Sequence, residues 1–195
     1  AGSGRTAEET KSIEVAAIGG EARRSVRFAY REWGAGAGER PVVLLLHGSP
    51  GDGSNFDRLG PLLARRYRVI APDLPGFGAS SRELPDYSIL AHARYALALL
   101  DQLGVERAHV IGHSGGGLMA VTLALAAPER VHSLVLLEPA IFPPDVNAGF
   151  LADAAPVLEA YHAGDVPRAL DLWMELVSVD AGWRVHSAGI VRDTD

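Results

Sequence analysis

The fold is decided by the stretch Ala108-His109-Val110-Ile111-Gly112-His113-Ser114-Gly115-Gly116-Gly117. Its first half is apolar and favours a β-strand, while its second half opens a run of small and apolar residues that favours a helix. Between them lies Gly112-His113-Ser114-Gly115-Gly116, a G-x-S-x-G pattern at a predicted strand-to-helix turn. So sharp a turn needs glycine two residues before and after the serine, because a Cβ there would collide with the neighbouring strand or helix. The pattern predicts that Ser114 is lifted out of the end of the strand.

The expected position of Ser114 beside a helix N-terminus gives its hydroxyl a chemical meaning. The positive end of the helix dipole favours an alkoxide or a tetrahedral oxyanion at this place. Ser114 is therefore a candidate nucleophile. The alternative is a helix N-cap serine with packing glycines, because the same pattern also arises by chance in chains rich in small residues.

Strands and helices alternate on both sides of this turn. The segments Ser12 to Ile18 and Val26 to Trp33 predict an antiparallel pair joined at Gly19-Gly20-Glu21, and the apolar run Val42 to Leu46 predicts a strand buried on both faces. Further predicted elements are a helix around Asn55 to Arg66, a strand Tyr67 to Ala71, a helix Ser88 to Leu103, a strand Ala108 to Gly112, a helix Gly115 to Ala127 and a strand Val131 to Leu137. The alternation indicates the α/β class: a doubly wound, mostly parallel sheet with antiparallel N-terminal strands and helices on both faces.

The chain changes character after Pro139. Pro143-Pro144 interrupt it, and two amphipathic helical patterns, Asp145 to Tyr161 and Val166 to Val177, predict a helical cap insertion. Because no further apolar strand follows, we expect a sheet that is incomplete at the C-terminus, in a C-terminally truncated chain. The predicted organisation is a flexible N-terminus over residues 1–11, a core over 12–140 and a partial cap over 141–195.

Composition narrows the classes of function. The chain has 195 residues, 48% of them hydrophobic, and a net charge of -6, which fits a globular fold and disfavours a nucleic-acid or anionic-membrane partner. It has no cysteine, which excludes a thiolate metal site, and we expect neither a metal nor an organic cofactor. No apolar run approaches the length of a membrane span and no signal-peptide core is visible, so a cytoplasmic location is expected.

A second motif, His47-Gly48-Ser49-Pro50-Gly51, directly follows the first predicted parallel strand. Acyl transfer requires two converging N–H donors for the oxyanion, and we expect them to be the backbone amides of Ser49 and Gly115. A loop-shaping role explains His47 more simply than a role as base. His113, beside the nucleophile, is expected to be a core or supporting residue.

A third segment, Asp73 to Ser80, follows another predicted strand and is expected to line the pocket. Asp73 is interpreted as a carboxylate that accepts backbone N–H bonds within its own turn, and not as a catalytic acid.

Together these motifs resemble the α/β-hydrolase fold superfamily. They are H-G-x-P-G from His47, D-L-P-G-F-G-x-S from Asp73, G-H-S-G-G-G from Gly112 and A-x-P-E-R-V from Ala126. The region after the core is similar to esterase-like hydrolases with a helical cap. The resemblance implies a serine hydrolase that acts on small uncharged ester-like substrates through an acyl-enzyme on Ser114, with structural roles for His47, Gly48, Gly112 and Gly116.

The resemblance also implies an acid and a histidine base located after later strands. Glu138 ends the strand after the elbow, where some similar families place the acid; the alternative is a carboxylate bonded to nearby backbone or to an arginine. None of His132, His162 and His186 has the strand-loop context expected of the base. Activity is therefore expected to be weak, and self-association through an exposed sheet edge is expected.

Two other interpretations stay open. A non-catalytic ligand-binding or receptor protein would keep the fold and the pocket without turnover, and an inactive fragment would lack the histidine. A Rossmann-type nucleotide domain is weakened because no G-x-G-x-x-G follows the first predicted parallel strand. Serine at the elbow argues against dehalogenase and epoxide-hydrolase chemistry, whereas amide, lactone and carbon–carbon bond hydrolysis and perhydrolysis stay open. The expected partner is a small-molecule substrate.

Overall fold

The computed structural model describes residues 10–18, 25–36 and 38–177, and its six strands form one mixed sheet. The strands are β1 (Lys11–Ala16), β2 (Ser25–Trp33), β3 (Val42–Leu46), β4 (Arg68–Pro72), β5 (Ala108–His113) and β6 (Val131–Leu137). They lie in the order β1-β2-β4-β3-β5-β6, with β1–β2 and β2–β4 antiparallel and the other neighbours parallel. The predicted class, a mostly parallel sheet with antiparallel N-terminal strands, is confirmed.

The helices are α1 (Gly60–Leu63), α2 (Ile89–Gln102), α3 (Gly115–Ala126), α4 (Pro144–Asp153), α5 (Ala155–His162) and α6 (Val166–Val177). Single 3-10 turns cover Gly53–Phe56 and Pro128–Arg130. No helix in the described ranges has the length and apolar character needed to cross a bilayer.

The core lies on both faces of the sheet, as the uninterrupted apolar sequence of β3 predicts. Leu44 and Leu46 pack into one cluster with residues of α2 and α3, whereas Val43 and Leu45 pack into a second cluster with Trp33. Successive side chains of a strand point to opposite faces, so a strand with four consecutive buried residues needs cover on each side. The central strands are therefore rigidly held, and their carboxyl ends provide a fixed platform for loops.

Helix α2 shows how local signals set an element's limits. The Oγ of Ser88 accepts a hydrogen bond from the Ala91 amide at 3.1 Å, which caps the helix, and Gly104 follows it with a φ of +66°. These are the start and stop residues that the sequence indicates. Leu99 and Leu100 on its apolar face are fully buried.

Two predicted helices are shorter than expected. Instead of one helix around Asn55 to Arg66, the chain forms the turn Gly53–Phe56 and then α1. Pro61 lacks the N–H that a helix running through it would need, and a Cβ on Gly60 would lie 2.5 Å from the ring of Trp33. The predicted helix Asp145 to Tyr161 is divided at Ala154, two residues before a proline.

The described residues fall into two compact units, divided between Ile141 and Phe142. In the second unit the ring of Phe150 lies 5.4 Å from that of Phe142 and 6.0 Å from that of Trp173. In the first unit β1 begins at Lys11, one residue earlier than expected. The predicted hairpin at Gly19-Gly20-Glu21, residues 1–9 of the predicted flexible N-terminus and the tail 182–195 lie outside the described residues.

Candidate active site

Ser114 occupies the turn between β5 and α3 in a backbone conformation that only glycine adopts readily. Its φ is +52° and its ψ is -122°, and its hydroxyl makes no capping hydrogen bond to α3. The Ser114 backbone is fixed by its N–H donating to the Leu137 carbonyl and by its own carbonyl, which accepts from Ala140, both at 3.0 Å. The backbone is therefore strained and anchored, while the hydroxyl is left out of the capping role that was its structural alternative.

Glycines around Ser114 allow backbone segments to approach one another. A Cβ on Gly112 would lie 2.4 Å from the carbonyl oxygen of Gly116, and a Cβ on Gly116 would lie 2.3 Å from that of Leu46. A Cβ on Gly48 would lie 2.7 Å from the Cβ of Ser114. Three backbone segments, the elbow, the end of β3 and the loop after β3, thus converge on the serine.

This convergence brings Ser114 next to two sources of backbone N–H groups. The first amides of a helix have no partner within the helix, and Gly115 is the first residue of α3. On the other side Gly48 touches Ser114, and Ser49 follows it directly. The two residues expected to bind an oxyanion therefore belong to the segments that flank the serine.

Asp73 ties the loop after β4 to the loop after β3. Its Oδ2 accepts from the Ala79 amide at 2.8 Å, within its own segment, and its Oδ1 accepts from the Gly53 amide at 2.9 Å. Arg31 lies 3.5 Å from Oδ1. The expected bond within the Asp73 turn is present, and the bond to Gly53 adds a connection between loops that local sequence does not indicate.

His47 is fully buried, and both of its ring nitrogens contact backbone. Nδ1 lies 2.9 Å from the Gly48 carbonyl oxygen, and Nε2 lies 2.9 Å from the amide nitrogen of Leu74. Burial lowers the pKa of the His47 ring below its ordinary value, outweighing the Gly48 carbonyl, which acts to raise it. A ring with both nitrogens engaged in this way shapes loops and is not placed as a base. Of the two roles expected for His113, the core role is wrong because its side chain is exposed, and the supporting role stays a prediction.

Among the residues that the structure describes, Glu138 is the other non-glycine residue with a positive φ, +43°, and it follows β6 directly. It lies between Leu137 and Ala140, whose backbone groups bond to Ser114. Within the described ranges no hydrogen bond or ion pair engages the Glu138 carboxylate, so the alternative of a structural carboxylate bonded to backbone or to arginine has no contact to support it.

One expected component of the site, the histidine base, is not identified among the described residues. No hydrogen bond in these ranges joins a histidine ring to the Ser114 hydroxyl. Among the same residues no group of three or more His, Asp or Glu side chains is arranged to hold a metal ion.

Sequence reasoning missed two buried polar residues that hold the loop after β4. The Ser80 hydroxyl accepts from the Ala29 amide at 2.9 Å and donates to the Asp73 carbonyl at 2.5 Å. Nε2 of His92 lies 2.9 Å from the Pro75 carbonyl oxygen. A signal existed for His92, which occupies the apolar face of α2 at helical spacing although it is polar.

Comparison with known proteins identifies the family of this chain and several relatives. The family described as alpha/beta hydrolase fold matches residues 41–179. The dihydrolipoyllysine-residue acetyltransferase component of the acetoin cleaving system of Cupriavidus necator is 39% identical over 158 residues, 80% of this chain and 39% of that protein. The 2-hydroxy-6-oxo-6-phenylhexa-2,4-dienoate hydrolase of Burkholderia cepacia is 43% identical over 108 residues, 53% of this chain and 38% of that protein.

A solved structure, a hydrolase from Pseudomonas aeruginosa, is similar with a TM-score of 0.64 and 34% identity. The similarity covers 76% of this chain and 53% of that one. The chain thus spans about two fifths of the length of these curated relatives and about half of that of the solved hydrolase.

Proposed function

This chain belongs to the alpha/beta hydrolase fold family, and from that premise we propose that it is a serine hydrolase for small uncharged ester-like substrates. The observation that carries the proposal is the conformation of Ser114. A non-glycine residue at a φ of +52° is costly, and its hydroxyl makes no capping hydrogen bond that would account for that cost. Strain at an anchored serine beside a helix N-terminus is typical of a nucleophile held out for attack.

The proposed reaction forms and then hydrolyses an acyl-enzyme. Oγ of Ser114 attacks the substrate carbonyl carbon while its proton passes to a base, and the carbonyl oxygen becomes an oxyanion. The amides of Gly115 and Ser49 donate to that oxyanion. Collapse expels the alcohol, which takes a proton, and water then attacks the ester on Ser114 to release the acid and restore the hydroxyl.

We assign Glu138 as the acid that orients the base. Its backbone lies between two backbone hydrogen bonds to Ser114, and its carboxylate is unengaged within the described ranges. A carboxylate in this role accepts from the base's N–H and stabilises the positive charge that forms there. The argument from backbone strain at Ser114 also applies to Glu138, because its φ of +43° is costly for a residue that carries a side chain.

A fluorophosphonate probe tests the proposal, because it forms a stable phosphonyl ester with an attacking serine. We expect one label per chain, located by peptide mass at Ser114, and no label in Ser114→Ala. Ser133→Ala, which changes an exposed serine elsewhere, should label like the parent chain. Added imidazole should accelerate labelling at Ser114, because no described histidine contacts its hydroxyl.

Absence of labelling in a chain whose circular dichroism shows it to be folded would contradict the proposal and favour the binding-protein alternative. Labelling at several serines, unaffected by Ser114→Ala, would contradict it as well. Equal labelling with and without imidazole would show that the chain supplies its own base.

A further inference from the structure

The His47 ring has only one protonation state that satisfies its contacts. A carbonyl oxygen only accepts and an amide N–H only donates, so Nδ1 must carry a hydrogen for the Gly48 carbonyl and Nε2 must present its lone pair to the Leu74 amide. The ring is therefore neutral in this arrangement. A second proton on Nε2 would place a hydrogen against the Leu74 N–H and break that bond.

This bond is one end of a clamp on the loop after β3. At the other end of the loop the Gly53 amide donates to the Asp73 carboxylate at 2.9 Å. The loop from residue 47 to residue 53 is thus tied at both ends to Asp73 and Leu74, which are consecutive residues. It includes Gly48, which directly follows His47 and whose Cα faces the Cβ of Ser114 so closely that a methyl group there would lie at 2.7 Å. Movement of the clamp moves the backbone beside Ser114.

Charged and titratable groups surround the clamp from several elements. They are Arg31 of β2, Asp52 of the loop after β3, Asp73 of the loop after β4, His92 of α2 and His113 of the elbow. The two carboxylates favour a protonated ring and His92 opposes it, but burial against the ring of Phe77, 5.3 Å away, dominates and keeps the pKa of His47 low. The neutral form is the stable one in the folded chain.

We infer that His47 is a positioning residue for the oxyanion hole, acting by clamping the loop after β3 onto the loop after β4 through its neutral ring. The inference rests on the proposed function, because the hole is assigned there to Ser49 and Gly115. Protonation of His47 releases Leu74 and lets the loop move away from Ser114. An acid-side loss of Ser114 reactivity then belongs to His47 and is not the titration of a base.

The test measures two quantities from pH 4.5 to pH 8, amide hydrogen exchange at Leu74 by NMR and the rate of fluorophosphonate labelling at Ser114. Hydrogen exchange reports whether the Leu74 amide is bonded to His47, and it does not depend on catalysis. The rates are corrected for the pH dependence of exchange in unstructured amides. The variant is His47→Gln, whose amide offers both a donor and an acceptor but does not titrate. The matched control is His109→Gln, which removes a histidine at the opposite end of β5.

In the parent chain and in His109→Gln we expect the protection of the Leu74 amide and the labelling rate to fall together as the pH is lowered. Loss of a donor from an oxyanion hole costs about 10²- to 10³-fold in rate, which sets the scale of the decline. In His47→Gln both quantities should be independent of pH over this range, with a lower but measurable rate. Labelling should be measured in excess imidazole at a fixed concentration of its neutral form, so that a base is not limiting.

Protection of Leu74 that does not change with pH, or that changes equally in His47→Gln, would overturn the inference. A pH-dependent clamp without any labelling at Ser114 would show that His47 titrates as described but that the proposed function is wrong. Labelling that keeps its acid-side decline in His47→Gln would overturn it as well, because another group would then control the decline.

Discussion

The elbow around Ser114 and the loop after β3 lie against each other but are held in different ways. The elbow depends on the absence of a side chain at Gly112 and Gly116, which lets neighbouring backbone segments approach each other closely. The loop depends on two buried polar side chains, those of His47 and Asp73, which bond to amides of facing segments. A steric arrangement is insensitive to pH and tolerates no added carbon. A polar arrangement tolerates small changes of shape but requires each donor to keep its acceptor.

The largest effect should come from one methyl group at the elbow. In Gly116→Ala the new Cβ would lie 2.3 Å from the Leu46 carbonyl oxygen, which belongs to a buried strand and cannot move aside. We expect a loss of about 3 kcal/mol or more in the free energy of unfolding, measured in urea. Gly115→Ala is the control, since nothing lies within 4 Å of its Cβ position, and it should not be destabilised. Equal stability of the two variants would contradict the claim that the elbow is held by close steric packing.

A smaller loss in the free energy of unfolding is expected when the polar contacts of the loop after β3 are removed. Asp73→Ala leaves the buried Gly53 amide and the part-buried Ala79 amide without their acceptor, and an unsatisfied buried donor costs about 1–3 kcal/mol. We expect destabilisation of about 2 kcal/mol in the same urea experiment. Asp57→Ala, which removes an exposed partner of Arg31, should change stability by less than about 0.5 kcal/mol. If both variants behaved alike, Asp73 would be only a surface charge.

A gain in stability is expected where the elbow is strained. Glycine adopts a φ of +52° without the steric cost that a Cβ imposes, so Ser114→Gly should be more stable than Ser114→Ala by about 1 kcal/mol. Thermal unfolding of the two variants measures the difference. A more stable alanine variant would mean that the backbone at this position is not strained.

The smallest effect on stability is expected from the titration of His47, because this contribution to the pH dependence vanishes at neutral pH. The folded pKa of His47 is lowered, so between that pKa and the unfolded value of about 6.5 only the unfolded chain binds the proton. The free energy of unfolding therefore falls as the pH is lowered through this window and levels off below the folded pKa, where both states bind the proton. Comparison of urea midpoints at pH 5 and pH 7.5 should show a smaller decline in His47→Gln than in the parent chain. An identical decline would assign the pH dependence to other groups.

Much of the fold follows from local signals in the sequence. The strand Val131–Leu137 and the helix Val166–Val177 have the predicted limits, and Ser88 and Gly104 bound α2 as expected. In each case the signal is contained within the element itself: apolar residues at the right period, a capping hydroxyl, or a glycine able to adopt a positive φ.

The errors arise where an element's limits depend on distant residues. The helix predicted around Asn55 to Arg66 is interrupted near Gly60, which makes room for Trp33, a residue of β2 that is far away in the sequence. The exposure of His113 likewise depends on the surrounding fold and not on the elbow motif.

At the site, the motifs indicate which residues meet but not what connects them. Ser114, Gly48 and Gly115 come together because the carboxyl ends of parallel strands share one edge of the sheet, which the strand-helix alternation implies. The bonds from His47 to Leu74 and from Asp73 to Gly53 join segments that are separated in sequence. Only the arrangement of the two loops in space reveals them, so the sequence alone left His47 as a general loop-shaping residue.

The structure of the chain phosphonylated at Ser114 tests the central claim most directly. If the elbow and the clamped loop form an oxyanion hole, the phosphonyl oxygen will accept hydrogen bonds from the amides of Gly115 and Ser49, at about 2.7–3.1 Å from each nitrogen. A phosphonyl oxygen directed to solvent, or bonded to neither amide, would contradict the account.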